Sequence, residues 1–233
     1  MMNRSRHVLL ALCVTSFLAI ISVSVRTQGP QAPPYRPEKP IAIVGGLLID
    51  GTGAAPRWDY TVVTQGDRIT QVGPSDSVTP PPGAEVIDAS GMTVMPGLIN
   101  SNQHIHIQAS GRRGASFNQQ QKAMQISKEN MRRFIMAGAK FSTGTDTNSF
   151  LNFQQEDPMA NEMMSMVEMG MSPVDVIVAS TRNGAEALRL VNDLGTVEKG
   201  RLADMIVVAG NPLENMAAMK RVASVVKGGV RYK

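Results

Sequence analysis

The chain has 233 residues, of which 42% are apolar and 18% are charged, and its formal net charge is +4. This composition suits a globular protein that buries a core. The basic residues are scattered along the chain, and Arg112-Arg113 and Lys220-Arg221 are only pairs. A nucleic-acid surface needs a clustered basic stripe. We therefore expect no nucleic-acid partner.

Residues 1–28 predict a targeting segment. Arg4 and Arg6 precede an apolar run over 8–25, which is the layout of a secretory signal. The run also reaches the lower limit for a membrane span, so an uncleaved anchor is the alternative. We expect an exported protein, periplasmic or extracellular, with a membrane tether if the leader is retained. Cys13 is the only cysteine, so the mature chain has no thiolate metal site.

Residues 29–40 contain five prolines and predict a stiff linker between the leader and the folded part. Residues 41–95 then show β patterns. They include a hairpin around Gln65-Gly66-Asp67 and a strand pair around Ala89-Ser90-Gly91. Together they indicate one half of a small β-sandwich.

Residues 97–109 alternate as a strand does, with Asn102, His104 and His106 on one face. Two histidines separated by one residue on a strand suggest a metal site, since imidazole is a common zinc ligand. Either one could instead be a hydrogen-bonded strand residue. Apart from His7 in the leader, the chain has no other histidine.

The remainder mixes helices with further strands. The predicted elements are a polar loop at 109–121, a helix at 122–137, a short strand at 140–143, a methionine-rich helix at 158–170, a helix from Pro173 toward Thr181 capped by Ser172, and a helix at about 185–190. We interpret the methionines as core packing rather than a copper site. Two β-rich runs, ADMIVVAG and VASVVKGGVRYK, indicate the second half of the sandwich.

A series of motifs runs from about Ile41 to Lys233: LLIDGTG, IDASGMTVMPGLIN, AGAKFSTGTDT, the TRNGA of the T-x-N-x-A pattern, and LGTVEKGRLADMIVV. This series resembles the metal-dependent amidohydrolase superfamily, and in particular its imidazolonepropionase and Xaa-Pro dipeptidase branch. The resemblance implies an α/β fold. Both chain ends, 41–96 and 191–233, would form a composite β-sandwich, and a (β/α)₈ barrel would lie between them.

The resemblance also implies a site. The first barrel strand of the family carries His-x-His, later strands carry a bridging Lys or Glu and two more His, and the eighth strand carries an Asp. One or two divalent metals, commonly zinc, activate a water molecule. Asp146 fits the eighth-strand position and implies a proton shuttle. The implied reaction is hydrolysis of a C–N bond in a small-molecule substrate such as a cyclic amide, an amidine or a dipeptide-like compound.

The histidine motif departs from the family pattern. An ungapped register places Asn102 and His104 at the two family histidines, and Asn100 at a preceding Asp. Asn is a poor zinc ligand beside imidazole. His106 lies on the same face, roughly 7 Å further along the strand, and could substitute. The candidate metal ligands are therefore His104, His106 and Asp146.

The central segment, 97–190, is far shorter than the roughly 250 residues of a (β/α)₈ barrel. We therefore predict only a truncated barrel remnant, without strands two to seven and the ligands they carry. In an intact barrel, strands one and eight are neighbours. A direct crossover between them would be left-handed, whereas about 98% of such crossovers are right-handed. We expect these two strands either not to pair or to leave the sheet open.

Three functional hypotheses follow. The first is an exported metal-dependent hydrolase of C–N bonds. The second is a truncated, non-catalytic relic, because only three candidate ligands remain. The third is an exported β-sandwich binding module tethered through its N-terminus. The sequence does not decide among them, and it leaves a homo-oligomer open.

Overall fold

Both ends of the folded chain contribute strands to one eight-stranded sheet. The structure is a computed structural model that describes residues 39–101, 117–145 and 157–233. The strands are β1 (Ile41–Leu48), β2 (Arg57–Gln65), β3 (Arg68–Pro74), β4 (Glu85–Asp88), β5 (Met92–Pro96), β6 (Met205–Ala209), β7 (Val222–Lys227) and β8 (Val230–Arg231).

The strand order is β3-β2-β1-β5-β6-β7-β8, with β4 paired to β1 beside this path. The join between the two chain ends is the antiparallel pair of β5 and β6, in register from Met92↔Ala209 to Pro96↔Met205. The predicted hairpin is confirmed, since β2 and β3 pair antiparallel around Gly66-Asp67. The β patterns at both ends of the chain are thus correctly predicted as strands.

The prediction of a strand pair around Ala89-Ser90-Gly91 is half right. Both strands exist, but they do not pair with each other. β4 and β5 lie in succession along β1 and parallel to it. β1 is irregular between these two stretches, where Gly45 has a positive φ of 77°. A Cβ on Gly46 would lie 2.6 Å from Val94 Cγ2, so β5 can approach this strand only because the position is glycine.

Alternate residues of β6 enter two different hydrophobic cores. Met205 and Val207 join a sheet core that also contains Val62 of β2 and Val226 of β7. These two strands lie far apart in the strand order, and a bridge between Arg68 at the start of β3 and Leu202 just before β6 brings the β3 edge of the sheet back toward β6. Ile206 and Val208 instead join a second core on the other face of the sheet, which we call the helix core.

Four α-helices and one 3₁₀-helix accompany the sheet within the described residues: α1 (Phe117–Met136), α2 (Pro158–Glu168), α3 (Pro173–Ser180), α4 (Arg182–Ala187) and the 3₁₀-helix Met216–Lys220. The predicted loop at 109–121 is wrong for its last residues, because α1 already begins at Phe117. The last predicted helix also begins earlier than expected, at Arg182.

The predicted helix start at Ser172-Pro173 is confirmed. Ser172 Oγ accepts a hydrogen bond from Asp175 N at 3.1 Å, which satisfies an amide that the first turn leaves free. The methionine face of α2 is confirmed as core packing, since Met163 and Met166 are buried in the helix core. None of the helices in the described ranges combines the length and apolar character that a bilayer-spanning helix needs.

Several predictions lie outside the described residues. They concern the leader at 1–28, nearly all of the linker at 29–40, and most of the strand at 97–109. The division into a composite sandwich, 41–96 with 191–233, and a barrel remnant at 97–190 stays a prediction.

Candidate functional site

The three candidate ligands lie outside the described residues. His104 and His106 belong to 102–116, and Asp146 belongs to 146–156. The site can therefore be built only from the residues that lead into these two stretches.

Two such segments are described. The first flanking segment is Gly97–Ser101, which continues from β5, and the second is Phe141–Thr145. Neither is a strand in the structure, so the predicted short strand at 140–143 is wrong. Both segments are held by isolated hydrogen bonds and not by the regular ladder of a sheet.

The first flanking segment is held by alternate backbone amides. Gly97 N donates to Asp204 O at 2.9 Å, one residue beyond the β5–β6 ladder. Ile99 N donates to Ser180 O at 2.8 Å, at the end of α3. The segment thus leaves the sheet and runs past α3, so its amides meet a different partner at each step.

The second flanking segment contacts both the first one and α3. Ser101 N donates to Thr143 O at 3.0 Å, and Thr143 N donates to Ala179 O at 3.3 Å. Asn183 Nδ2 donates to Phe141 O at 2.7 Å, which ties the start of the segment to α4. The two segments are therefore neighbours, as the two barrel strands of the family pattern would be.

Polar side chains link the segments a second time. Thr143 Oγ1 donates to Ile99 O at 3.1 Å. Asn100 Nδ2 donates to Thr145 Oγ1 at 2.8 Å, while Thr145 N donates to Asn100 Oδ1 at 3.3 Å. This reciprocal pair fixes the ends of the two segments next to each other.

Small hydroxyl side chains fill the space between the segments. Ser101 Oγ lies 2.7 Å from Thr143 O and 2.9 Å from Ser142 Oγ. Ser142 and Thr143 are buried. Buried hydroxyls need hydrogen-bond partners, and the sequence signal for this network was the clustering of Asn, Ser and Thr in LINS and FSTGT. The sequence analysis had not singled out these residues.

An ion pair lies beside the start of the second flanking segment, at the end away from Thr145. Lys140 Nζ is 2.7 Å from Glu186 Oε2 on α4. The hydrogen bond from Lys140 holds the pKa of Glu186 below its ordinary value, and the positive charge of Lys140 adds to this effect. Both side chains are well exposed. The linked ends at Asn100 and Thr145 are uncharged, so they can orient the chain but cannot transfer protons near neutral pH.

A buried carboxylate was also overlooked. Glu162 lies in α2, which follows the stretch that carries Asp146, and its side chain is 2% exposed. Its position within the methionine-rich stripe was the signal, because a charged group is seldom buried without compensation.

Across residues 39–101, 117–145 and 157–233, no group of three or more His, Cys, Asp or Glu is placed to hold a metal ion. A site with three such ligands would therefore need at least one residue from outside these ranges, and all three candidate ligands lie in 102–116 and 146–156.

Known proteins resemble this chain in sequence and in fold. A model of the amidohydrolase family matches residues 124–231. The imidazolonepropionase of Shouchella clausii is 31% identical over 103 residues, which cover 43% of this chain and 23% of that protein. These matches support membership of the chain in the amidohydrolase superfamily.

Other superfamily relatives match shorter stretches. The 5-methylthioadenosine/S-adenosylhomocysteine deaminase of Symbiobacterium thermophilum is 40% identical over 65 residues, covering 28% of this chain and 15% of that protein. The matched part of this chain thus spans less than a quarter of the length of either relative.

Solved structures support the fold. Molinate hydrolase superimposes with a TM-score of 0.67 at 17% identity, covering 84% of this chain and 95% of the other. A Xaa-Pro dipeptidase superimposes with a TM-score of 0.65 at 14% identity, covering 84% and 100%. The fold of this chain is therefore similar to the folds of these two structures.

Proposed function

We propose that this amidohydrolase hydrolyses a C–N bond in a small-molecule substrate at a site formed by His104, His106 and Asp146. The observation that carries the proposal is the adjacency of the two flanking segments. Their ends, Ser101 and Thr145, lie beside each other through the Asn100 pair. Because the candidate ligands follow these two ends closely, the adjacency supports their convergence.

The donor types fit a catalytic metal. Catalytic zinc sites commonly use three protein ligands, such as two imidazoles and one carboxylate, and keep a fourth position open. His104 and His106 would supply the imidazoles, with His106 in place of the weak ligand Asn102, and Asp146 would supply the carboxylate. A divalent metal, in this proposal zinc, would lower the pKa of a water molecule toward neutrality.

Asp146 would also move the proton. Its carboxylate accepts a proton from the attacking water as the new C–O bond forms, and it returns that proton to the leaving nitrogen as the C–N bond breaks. The names of the matched imidazolonepropionase and deaminase favour a cyclic amide or an amidine as the substrate of this chain. A dipeptide-like substrate is the alternative from the sequence motifs.

The test measures metal content and turnover together. Protein reconstituted with zinc is expected to hold about one equivalent, and Asp146→Asn is expected to lower turnover by at least about 100-fold on a panel of cyclic amides, amidines and dipeptides. Asp76→Asn, the same change in an exposed loop, is the matched control. Activity that does not depend on Asp146, or a protein that binds no metal, would contradict the proposal.

A second candidate is a non-catalytic relic. An apolar cleft of about 580 Å³ lies beside the first flanking segment and is lined in part by Leu98, Ile206, Val222 and Val225. Most of the lining that faces this open cleft is apolar, so the cleft favours a central segment that lacks part of its cover. A cooperative melt without metal binding or hydrolysis would support this candidate, and metal-dependent turnover would refute it.

We also propose export. Residues 1–28 would direct the protein to the periplasm or the exterior, and a retained leader would tether it to the membrane. Cell fractionation of the full chain and of a variant without 1–28 tests this. Equal recovery of both in the cytoplasm would contradict it.

A further inference from the structure

Helix α1 carries apolar residues on two different sides. Met131 is buried, and Ile135 packs against the helix core. Ile126 and Phe134 instead lie on another side of the helix, where 53% and 59% of their surfaces are exposed. Asn130 stands midway between these two residues and is half-buried.

Residues spaced by four along a helix form a row on its surface. Ile126, Asn130 and Phe134 form such a row on α1. Single exposed apolar residues are ordinary, but two large ones in one row place exposed apolar surface at two points on the same side of the helix. The row is symmetric about Asn130, with one large apolar residue at each end.

We propose that this row is a self-association surface, on which α1 of a second copy packs antiparallel about a two-fold axis at Asn130. A two-fold interface must be complementary to itself. In this arrangement Ile126 contacts Phe134 of the partner subunit, and the two Asn130 amides face each other. Each large apolar side chain is covered by another, and each amide meets an amide.

Charges beside the row favour the same arrangement. Glu129 and Arg133 flank it and pair within the helix, with Arg133 Nε 3.2 Å from Glu129 Oε1. Their side chains are still 54% and 73% exposed, so both can accept a further partner. Antiparallel packing places Glu129 beside Arg133 of the partner subunit, twice by symmetry. Parallel packing would place like charges together, so charge complementarity selects the antiparallel pair.

The surface is small. One helix with two large apolar side chains per copy falls below the roughly 800 Å² per partner of a standard stable complex. The association is therefore weak and depends on protein concentration.

Sedimentation equilibrium of the full chain over a range of concentrations tests the apolar contact. Ile126→Glu is expected to weaken the association constant by about tenfold or more, because it buries a charge against Phe134 of the partner subunit, twice by symmetry. Met136→Glu is the matched control. Met136 is 87% exposed on the same helix but lies about 120° away from the row at 100° per residue, so association should not change.

A charge exchange tests the contact between copies. Glu129→Arg alone and Arg133→Glu alone should each lose association, and an equimolar mixture of the two should regain it. Both variants lack the ion pair within the helix, so recovery can come only from pairs across the interface. The proposal is overturned if the wild type stays monomeric, if Ile126→Glu associates like the wild type, or if the mixture does not associate.

Discussion

The eight-stranded sheet and the two flanking segments hold their backbones in different ways. β5 and β6 pair along five consecutive residues, whereas Gly97, Ile99 and Ser101 each donate to a different part of the chain. The sheet is stabilised by many equivalent contacts, so no single hydrogen bond decides its geometry. The flanking segments depend on a few specific contacts. The stability of the fold and the placement of the candidate site can therefore be perturbed separately.

The largest effect is expected from a cavity in the sheet core. Ile43 is fully buried there. Ile43→Ala should lower the free energy of unfolding by about 2–5 kcal/mol, as similar truncations do. Urea denaturation measures this, and Val86→Ala, on an exposed strand residue, is the control. If the two variants lose equal stability, the sheet core does not dominate the fold.

A smaller effect is expected where α4 contacts the first flanking segment. A Cβ on Gly184 would lie 2.9 Å from Ile99 Cβ and Cγ2. Gly184→Ala should therefore cost about 1–3 kcal/mol from overpacking, partly offset by about 1 kcal/mol of gained helix propensity.

The Gly184→Ala/Ile99→Ala double variant sharpens this test. Its loss of stability in urea denaturation should be smaller than the sum of the two single losses, because removing Cγ2 of Ile99 relieves part of the overlap. Strict additivity would show that α4 does not position the first flanking segment.

Next in size is the hydroxyl network. Thr143→Val keeps the shape of the side chain but removes the hydrogen bond to Ile99 O, so it should cost about 1–2 kcal/mol. It should also weaken zinc binding, measured by titration, if the proposed site exists. Thr70→Val removes a similar bond to Val63 O inside the sheet and should leave zinc binding unchanged. Equal zinc affinity in both variants would contradict a positioning role for Thr143.

The smallest effect concerns the exposed ion pair of Lys140 and Glu186. The pKa of the Glu186 carboxyl is lowered from its ordinary value of 4.5, so the ion pair stabilises the folded state at a pH above 4.5. This stabilisation is lost as the pH falls through the lower pKa that Glu186 has in the folded state. At about pH 6 the wild type should have a higher Tm than Lys140→Met. This difference in Tm should therefore become smaller below pH 4.5. Lys199→Met, at another exposed lysine, should show no such pH dependence.

The sequence predicted the elements whose signals are local. The β2–β3 hairpin has β-branched runs around a Gly-Asp turn, and α3 has a Ser-Pro start, so both were correct. These signals need no information about the rest of the chain. The superfamily could also be predicted, because its motifs are specific strings of residues.

The sequence did not predict features that depend on tertiary contacts. β4 and β5 were placed beside each other because only three residues separate them, whereas the irregularity at Gly45-Gly46 lets both pair with β1. The first flanking segment alternates as a strand does, and the second contains β-branched residues. Neither forms a strand, because the neighbouring chain supplies only isolated hydrogen bonds. The burial of Glu162 depends on packing that periodicity cannot show. The geometry of His104, His106 and Asp146 stays a prediction.

The pairing of β5 with β6 joins residues 92–96 to residues 205–209 and encloses everything between them. The entropy cost of closing such a loop grows only with the logarithm of its length, by about 0.6 kcal/mol for each doubling. A sheet built in this way tolerates large insertions or deletions in the enclosed segment at little thermodynamic cost. The same two chain ends can therefore meet around a short central segment or a full barrel, which lets the length between them change in evolution while the sheet persists.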